Sequence, residues 1–374
     1  MEDNKKIPAE VPAVKPPKKK RKKSGAFGRF LRRTLLVLFT VLLLGAGGLV
    51  MVLHTILTGP SDTARDAMTL FLCESALTDW IPGTFLGEET VAQIRSRFIG
   101  SPEGAYSDVS RIHVGGQSAL NSSDEWENFP DGIRIEKYQG DTYTAHVMII
   151  RDPGLVYLAA SDSDSSGSRI HREIGAQDAL SAINAGGFLE DISGAVPAGL
   201  LITQGQVLPN DNGEQLPYPG FAGFTCDNVL VVAHSMTEAV AQELDIRDGC
   251  AYGPVLIMNG IVNESVYQIR SGYNSRTAIG QRADGAVLFL CIDGLLPGSM
   301  GGTYRDVIDI LVACGAVNAC NMAGGFSSAM MYRDSQGLYG QADGYAMISS
   351  LSPLLSEPTR IPHFWMVHYT PKEG

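Results

Sequence analysis

Four stretches of the chain combine residue types that could handle an anionic ligand. The apolar run Val287-Leu288-Phe289-Leu290-Cys291-Ile292 ends in Asp293-Gly294, and Asn321-Met322-Ala323-Gly324-Gly325-Phe326-Ser327-Ser328 follows about thirty residues later. A carboxylate can activate water or stabilise positive charge, whereas Gly324 and Gly325 followed by Ser327 and Ser328 offer backbone N–H groups and hydroxyls to phosphate oxygens. Upstream, Arg276 and Thr277 stand in Ser-Arg-Thr-Ala-Ile-Gly. The forked guanidinium of Arg276 suits a phosphodiester anion better than a lysine would. Arg360 is a second candidate of this kind. Asn184 closes a strand-like run, and the small Gly186-Gly187 behind it would let a ligand approach the backbone.

These groups need elements that bring them to one place. A continuous apolar run such as Val287–Ile292 reads as a strand buried on both faces. Thr303 with Asp306 forms a capping box, so a helix begins there, and Gly315 stops it. Val317–Asn321 is then the next strand. Strand, helix and strand at this spacing predict a parallel crossover, with Asp293-Gly294 and Asn321–Ser328 as neighbouring loops at one sheet edge. Further strands are expected over Ile133–Tyr138, Thr144–Ile150 and Leu155–Ala160, and near Ala198–Thr203, Val229–Ala233 and Pro254–Gly260. Short helices are expected at Ala176–Ala182 and Thr237–Leu244. The fold class is α+β: a mixed β-sheet domain with flanking helices, preceded by a single transmembrane helix.

Four segments follow from composition. Residues 1–33 carry twelve basic and three acidic residues and read as a disordered basic tail on the cytoplasmic side. Residues 34–58 hold no Asp, Glu, Lys or Arg and exceed the roughly 20 apolar residues that a membrane span needs. The positive-inside rule puts the remainder outside the cytoplasm. Residues 59–130 read as a helical stalk or cap, with helices over 61–80 and 88–98 and then a linker. Residues 131–374 form the main domain.

The whole chain carries a net charge of −11, but beyond residue 33 there are seventeen basic against thirty-seven acidic residues. A net charge of −20 repels nucleic acid, which is excluded as a partner. Through residues 34–58 the expected partner is a lipid bilayer. Six cysteines in so long a domain are no disulfide framework, although Cys226–Cys250 is the pair to test. No CxxC or CxxH spacing suggests a metal site, and no cofactor is expected; a divalent cation stays open.

At the residues above, over about 130–370, the chain resembles the phosphodiester glycosidase family. The resemblance rests on Ile-Asn184-Ala-Gly-Gly-Phe188, Tyr252-Gly-Pro254, Arg276-Thr277-Ala-Ile-Gly-Gln-Arg-Ala-Asp-Gly285, Ile-Asp293-Gly, Ser299-Met-Gly-Gly-Thr303, Asn321 to Met330, and Arg360-Ile-Pro362. It implies an α+β domain that cleaves the bond between a sugar's anomeric carbon and a phosphate, in envelope or exopolysaccharide glycans, with a saccharide or sugar-phosphate as its partner. Asp293, Arg276 and Asn184 would then be catalytic, with Gly186, Gly187, Phe188, Thr277, Asn321, Gly324, Gly325, Ser327, Ser328 and Arg360 binding substrate. The chain departs from the family pattern at Ala323, where an Asp is usual, and at Phe326, where a small residue is usual. Leu295 and His363 stand where Arg and Thr are common. These departures leave a second function open: a catalytically impaired relative that serves as a glycan-binding or interaction module.

Overall fold

The computed structural model describes residues 26–73, 78–96, 106–115, 126–129, 131–160, 167–191, 194–208, 220–269, 271–334, 344–353, 355 and 357–369; the side chains of residues 26, 27, 189–191 and 194 are not described. The chain divides into two units, Met1–Thr55 and Ile56–Gly374. A helix starts at Ala26, eight residues before the expected boundary, and runs to Thr58. Its Gly28–Thr58 stretch is long and apolar enough to cross a membrane. The basic flank thus joins the helix at Arg29, Arg32 and Arg33, since Arg is a good helix former. The rest of the basic tail, residues 1–25, lies outside the described residues.

In the second unit, the helices Asp62–Cys73, Trp80–Leu86 and Glu88–Ser96 gather around Leu70, Leu86 and Ile94 and pack on Ile269. The segment expected as a linker is partly docked instead. Ser107 N donates to Val232 O at 2.9 Å, Ser107 Oγ accepts from Val232 N at 3.0 Å, and His113 N donates to Ala283 O at 2.9 Å. The strand Leu230–Ala233 is an edge strand, and its open backbone groups recruit this segment. Residues 97–105, 116–125 and 130 are outside the described set.

The main sheet has seven strands in the order Ile133–Gln139, Thr144–Ile150, Val287–Ile292, Arg276–Arg282, Ala316–Met322, Val255–Met258 and Ile261–Val262. Every paired neighbour in it is antiparallel. This corrects the expected crossover between adjacent parallel strands. Arg276–Arg282 joins Val287–Ile292 through a short hairpin with Gly285 at φ 93°, and hairpin strands pair with each other first. Thr144–Ile150 takes the other flank of Val287–Ile292, so Ala316–Met322 pairs beyond Arg276–Arg282. Val287–Ile292 and Ala316–Met322 still run the same way and end at the same edge. The intervening strand starts there too, with Arg276 opposite Ile292.

Helix Tyr304–Ala313 covers one face of this sheet through Tyr304, Val307, Ile308 and Leu311, which pack with Leu288, Leu290 and Ile292. Its capping box is formed as expected: Thr303 N donates to Asp306 Oδ2 at 2.7 Å and Thr303 Oγ1 accepts from Asp306 N at 3.3 Å. Gly315, at φ 82°, ends the helix. The other face, with Phe289, Cys291, Cys320 and Met322, packs against two five-stranded sheets. One runs Ala346–Met347, Met330–Tyr332, Ala179–Asn184, His363–His368, Val156–Ala160; the other runs Leu230–Ala233, Phe221–Thr225, Ile246–Ala251, Leu201–Thr203, Gln206–Val207. Coverage on both faces explains the unbroken apolar run at 287–292 without a parallel sheet.

A second correction concerns Ala176–Ala182. The helix is Ile170–Ala176, and Ala179–Asn184 is a fully buried strand. Pairing on both sides, to His363–His368 and Met330–Tyr332, overrides the local helix preference of its alanines and leucine. All six cysteines are free; Cys226 is exposed and Cys250 buried, so the Cys226–Cys250 bridge is not formed.

Candidate active site

Asn184, at the end of its strand, projects between two sheets. It is fully buried, and Nδ2 donates to Ala323 O at 2.6 Å. Its Oδ1 accepts from Thr277 Oγ1 at 2.9 Å and from Ala329 N at 3.0 Å. Thr277 Oγ1 also lies 3.1 Å from Ser328 Oγ. Asn184, Thr277 and Ser328 therefore meet, together with the backbone of the 323–329 loop. The amide is spent on protein partners, which makes Asn184 a staple between the two sheets.

The Gly-Ser loop is held in the same manner. Gly325 N donates to Ser275 O at 2.9 Å, Ser327 N to Gly324 O at 3.2 Å and Ser328 N to Gly325 O at 3.3 Å. Three of the N–H groups expected to form a phosphate nest are thus occupied. Residues 325–327 form a 3-10 turn with Gly325 at φ 63°, and a Cβ on Gly324 would sit 2.7 Å from Ser275 O. The two glycines let the loop press onto residue 275, which is a packing role.

Asp293 follows Ile292 at the shared edge. Its Oδ1 accepts from Ser350 N at 2.9 Å, and Oδ2 lies 3.6 Å from His146 Nε2. Ser299 Oγ donates to Asp293 O at 2.7 Å and Asp293 N to Thr144 O at 2.8 Å, so the backbone is pinned by the loop at Ser299 and the strand at Thr144. The side chain of Asp293 is 3% exposed and that of His146 14%, so solvent reaches the pair from the imidazole side. Burial and the Asp293 charge push the neighbouring Cys291 thiol up and keep it protonated.

Arg276 is not part of this group. Its Nε donates to Gly302 O at 3.1 Å and its Nη2 to Gly272 O at 2.8 Å, with the guanidinium 4.3 Å above the Tyr304 ring. Alternation along the strand sends Arg276 to the helix-covered face and Thr277 to the other. Arg276 braces the helix start rather than facing Asp293, contrary to the expected sharing of one anion. Asn321 is also turned to structure: Nδ2 donates to Gly253 O at 2.9 Å, while Oδ1 is buried with no hydrogen-bond partner. Arg360 is exposed, beside Thr359, whose Oγ1 donates to Phe326 O at 2.9 Å. It is the sequence-predicted guanidinium that stays at the surface near the Gly-Ser loop.

Gly186 packs on Tyr252, and a Cβ on Gly187 would lie 3.3 Å from His363 Nε2. Phe188 meets the His363 ring edge-on at 6.2 Å. His363 is fully buried, and burial lowers its pKa to about 4 against the opposing pull of the Gly186 and Gly187 backbone. Among the described residues, no three His, Cys, Asp or Glu side chains stand close enough to hold a metal ion.

His146 and Ser350 were missed by sequence reasoning, and His363 was noted only as a departure from the family pattern. For His146 a signal existed: it shares its strand face with Met148 and Ile150, which are core residues, and a histidine on a covered face calls for a partner.

Residues 177–351 match the family model for phosphodiester glycosidases. Over that segment the chain resembles this family. The match includes Asn184, Thr277, Asp293 and the 321–328 loop, and supports a hydrolase of the glycosidase type. The catalytic domain of zebrafish N-acetylglucosamine-1-phosphodiester alpha-N-acetylglucosaminidase, auto-inhibited by its pro-peptide, is similar at 19% identity and a TM-score of 0.49, over 64% of this chain and 82% of that one. A hypothetical protein from Synechocystis is similar at 15% identity and a TM-score of 0.40, over 63% and 61% of the two chains. A comparison with curated proteins finds no match.

Proposed function

We propose that the chain is a membrane-anchored hydrolase whose C-terminal domain lies outside the cytoplasm and cleaves a sugar-1-phosphodiester in envelope or exopolysaccharide glycans. The observation that carries the reading is Asp293 paired with His146 at a sheet edge inside a segment that matches phosphodiester glycosidases. In the reaction, water adds to the anomeric carbon as its bond to the phosphate oxygen breaks, releasing the free sugar and a phosphomonoester. Asp293, fixed by Ser350 N, stabilises the oxocarbenium-like charge, and His146 relays the proton lost by water. Phosphate is a good leaving group, so demand for a strong general acid is small. Exposed Arg360 supplies the positive charge that Arg276 cannot, because the latter is committed to Gly302 and Gly272.

A second reading, a glycan-binding module with impaired catalysis, is favoured by Ala323 and by the occupied N–H groups of the Gly-Ser loop. Incubating the full chain with a UDP-sugar or a soluble sugar-1-phosphodiester and following free sugar separates the two. Release by the wild type supports the hydrolase. Saccharide binding without release, with turnover appearing only in Ala323→Asp, supports the module.

A further inference from the structure

The loops that border Asp293 carry an apolar, uncharged lip in a strongly acidic domain. Tyr273 is 48% exposed, Leu295 37% and Met300 56%. They are contiguous through the backbone: Asn274 bridges Gly302, and Leu295 N donates to Met300 O at 3.5 Å. No charged residue occurs in 271–275 or 294–304, although the chain beyond residue 33 is net −20. The lip continues onto the helical cap, because the Phe71 ring lies directly on Gly272. Phe71 is itself 37% exposed, and Trp80 on the same cap is 63% exposed.

The covalent path sets what this lip meets. The apolar helix ends at Thr58 and the helix bearing Phe71 begins at Asp62. At 1.5 Å per helical residue and about 3.5 Å per extended one, Phe71 is tethered within roughly 30 Å of that end. A lip rich in Tyr, Trp, Leu and Met on so short a tether has the composition of a membrane-interface surface. We propose that the Tyr273–Leu295–Met300 lip, with Phe71 and Trp80, lies on the bilayer, and that the diester presented to Asp293 is a sugar phosphate esterified to a membrane lipid. This rests on the glycosidase and anchor readings above, and it names the substrate class of that site.

The test uses the full chain in phosphatidylcholine nanodiscs, with Cys226→Ser and Cys314→Ser removing the thiols nearest the surface. A spin label is placed at Met300→Cys or, as a control, at Val312→Cys near the C-terminal end of the helix Tyr304–Ala313, which is 50% exposed. Collision with a water-soluble nickel agent should fall severalfold at 300 relative to 312, and the difference should persist in high salt because the contact is apolar. Equal collision at both sites overturns docking. Turnover is then compared for a lipid-borne glycosyl phosphodiester and the same head group in soluble form. Preference for the lipid-borne substrate is expected, and preference for the soluble one overturns the substrate class. The label reports contact without any need for turnover. Docking without hydrolysis of either diester therefore refutes the glycosidase reading alone.

Discussion

Replacing Asn184 by alanine discriminates a staple from a catalytic amide. In the wild type its side chain satisfies Ala323 O, Ala329 N and Thr277 Oγ1. Thr277 keeps Ser328 Oγ as an alternative partner after the substitution, so two buried backbone groups lose theirs. Each buried polar group left unsatisfied costs about 1–3 kcal/mol, which puts the loss at about 2–6 kcal/mol. That is a large share of the 5–15 kcal/mol typical of a folded domain. Asn184→Asp retains both acceptor contacts but loses the donor and sets a carboxylate against Ala323 O, so it should be no milder. The assay is urea denaturation of the full chain in detergent, followed by tryptophan fluorescence; Trp365 is fully buried in the same core and reports its loss. A lower midpoint at unchanged slope is the expected outcome. A loss under about 0.5 kcal/mol, the range of a neutral surface change, together with abolished turnover would refute the staple and return Asn184 to the reaction.

Arg276→Met leaves Gly272 O without its donor, while Gly302 O keeps Asn274 N at 3.2 Å, and should cost about 1–3 kcal/mol in thermal denaturation; Arg276→Lys should recover only part, since an ammonium lacks the fork. His363 gives a pH signature. Its folded pKa of about 4 lies below the unfolded value near 6.5, so the unfolded state binds the extra proton between them. Stability should be intact above about pH 6.5 and fall towards pH 4 by about 3 kcal/mol at most, and His363→Gln should flatten that part of the profile. Gly324→Ala drives a Cβ against Ser275 O, and should cost about 1–3 kcal/mol in the same denaturation assay.

The elements around the site were legible where the signals were local. The buried run at 287–292, the Thr303–Asp306 capping box and the Gly315 stop lie within a few residues of what they determine, and all three appear where the sequence puts them. The position of Arg276–Arg282 between the two parallel strands was not legible, because it follows from hairpin pairing and from competition by Thr144–Ile150, a strand over a hundred residues away. That one insertion decides which face Arg276 takes. Likewise, Asp293 could be named from its place after an apolar strand, but its partner His146 could not, since only the register of His146 opposite Cys291 brings the two together. Asn184 and the glycines of the 324–325 turn were recognised as special, and their packing role becomes apparent only through Ala323, Ala329 and Ser275.

The central claim is that Asp293 does the chemistry on a glycosyl phosphodiester. Its most direct test is sugar release from such a diester by the wild type and by Asp293→Asn, each checked for an unchanged denaturation midpoint. The account predicts release by the wild type and a loss of at least about a hundredfold in the variant, nearly 3 kcal/mol of transition-state stabilisation. Equal release by two equally stable proteins would contradict it.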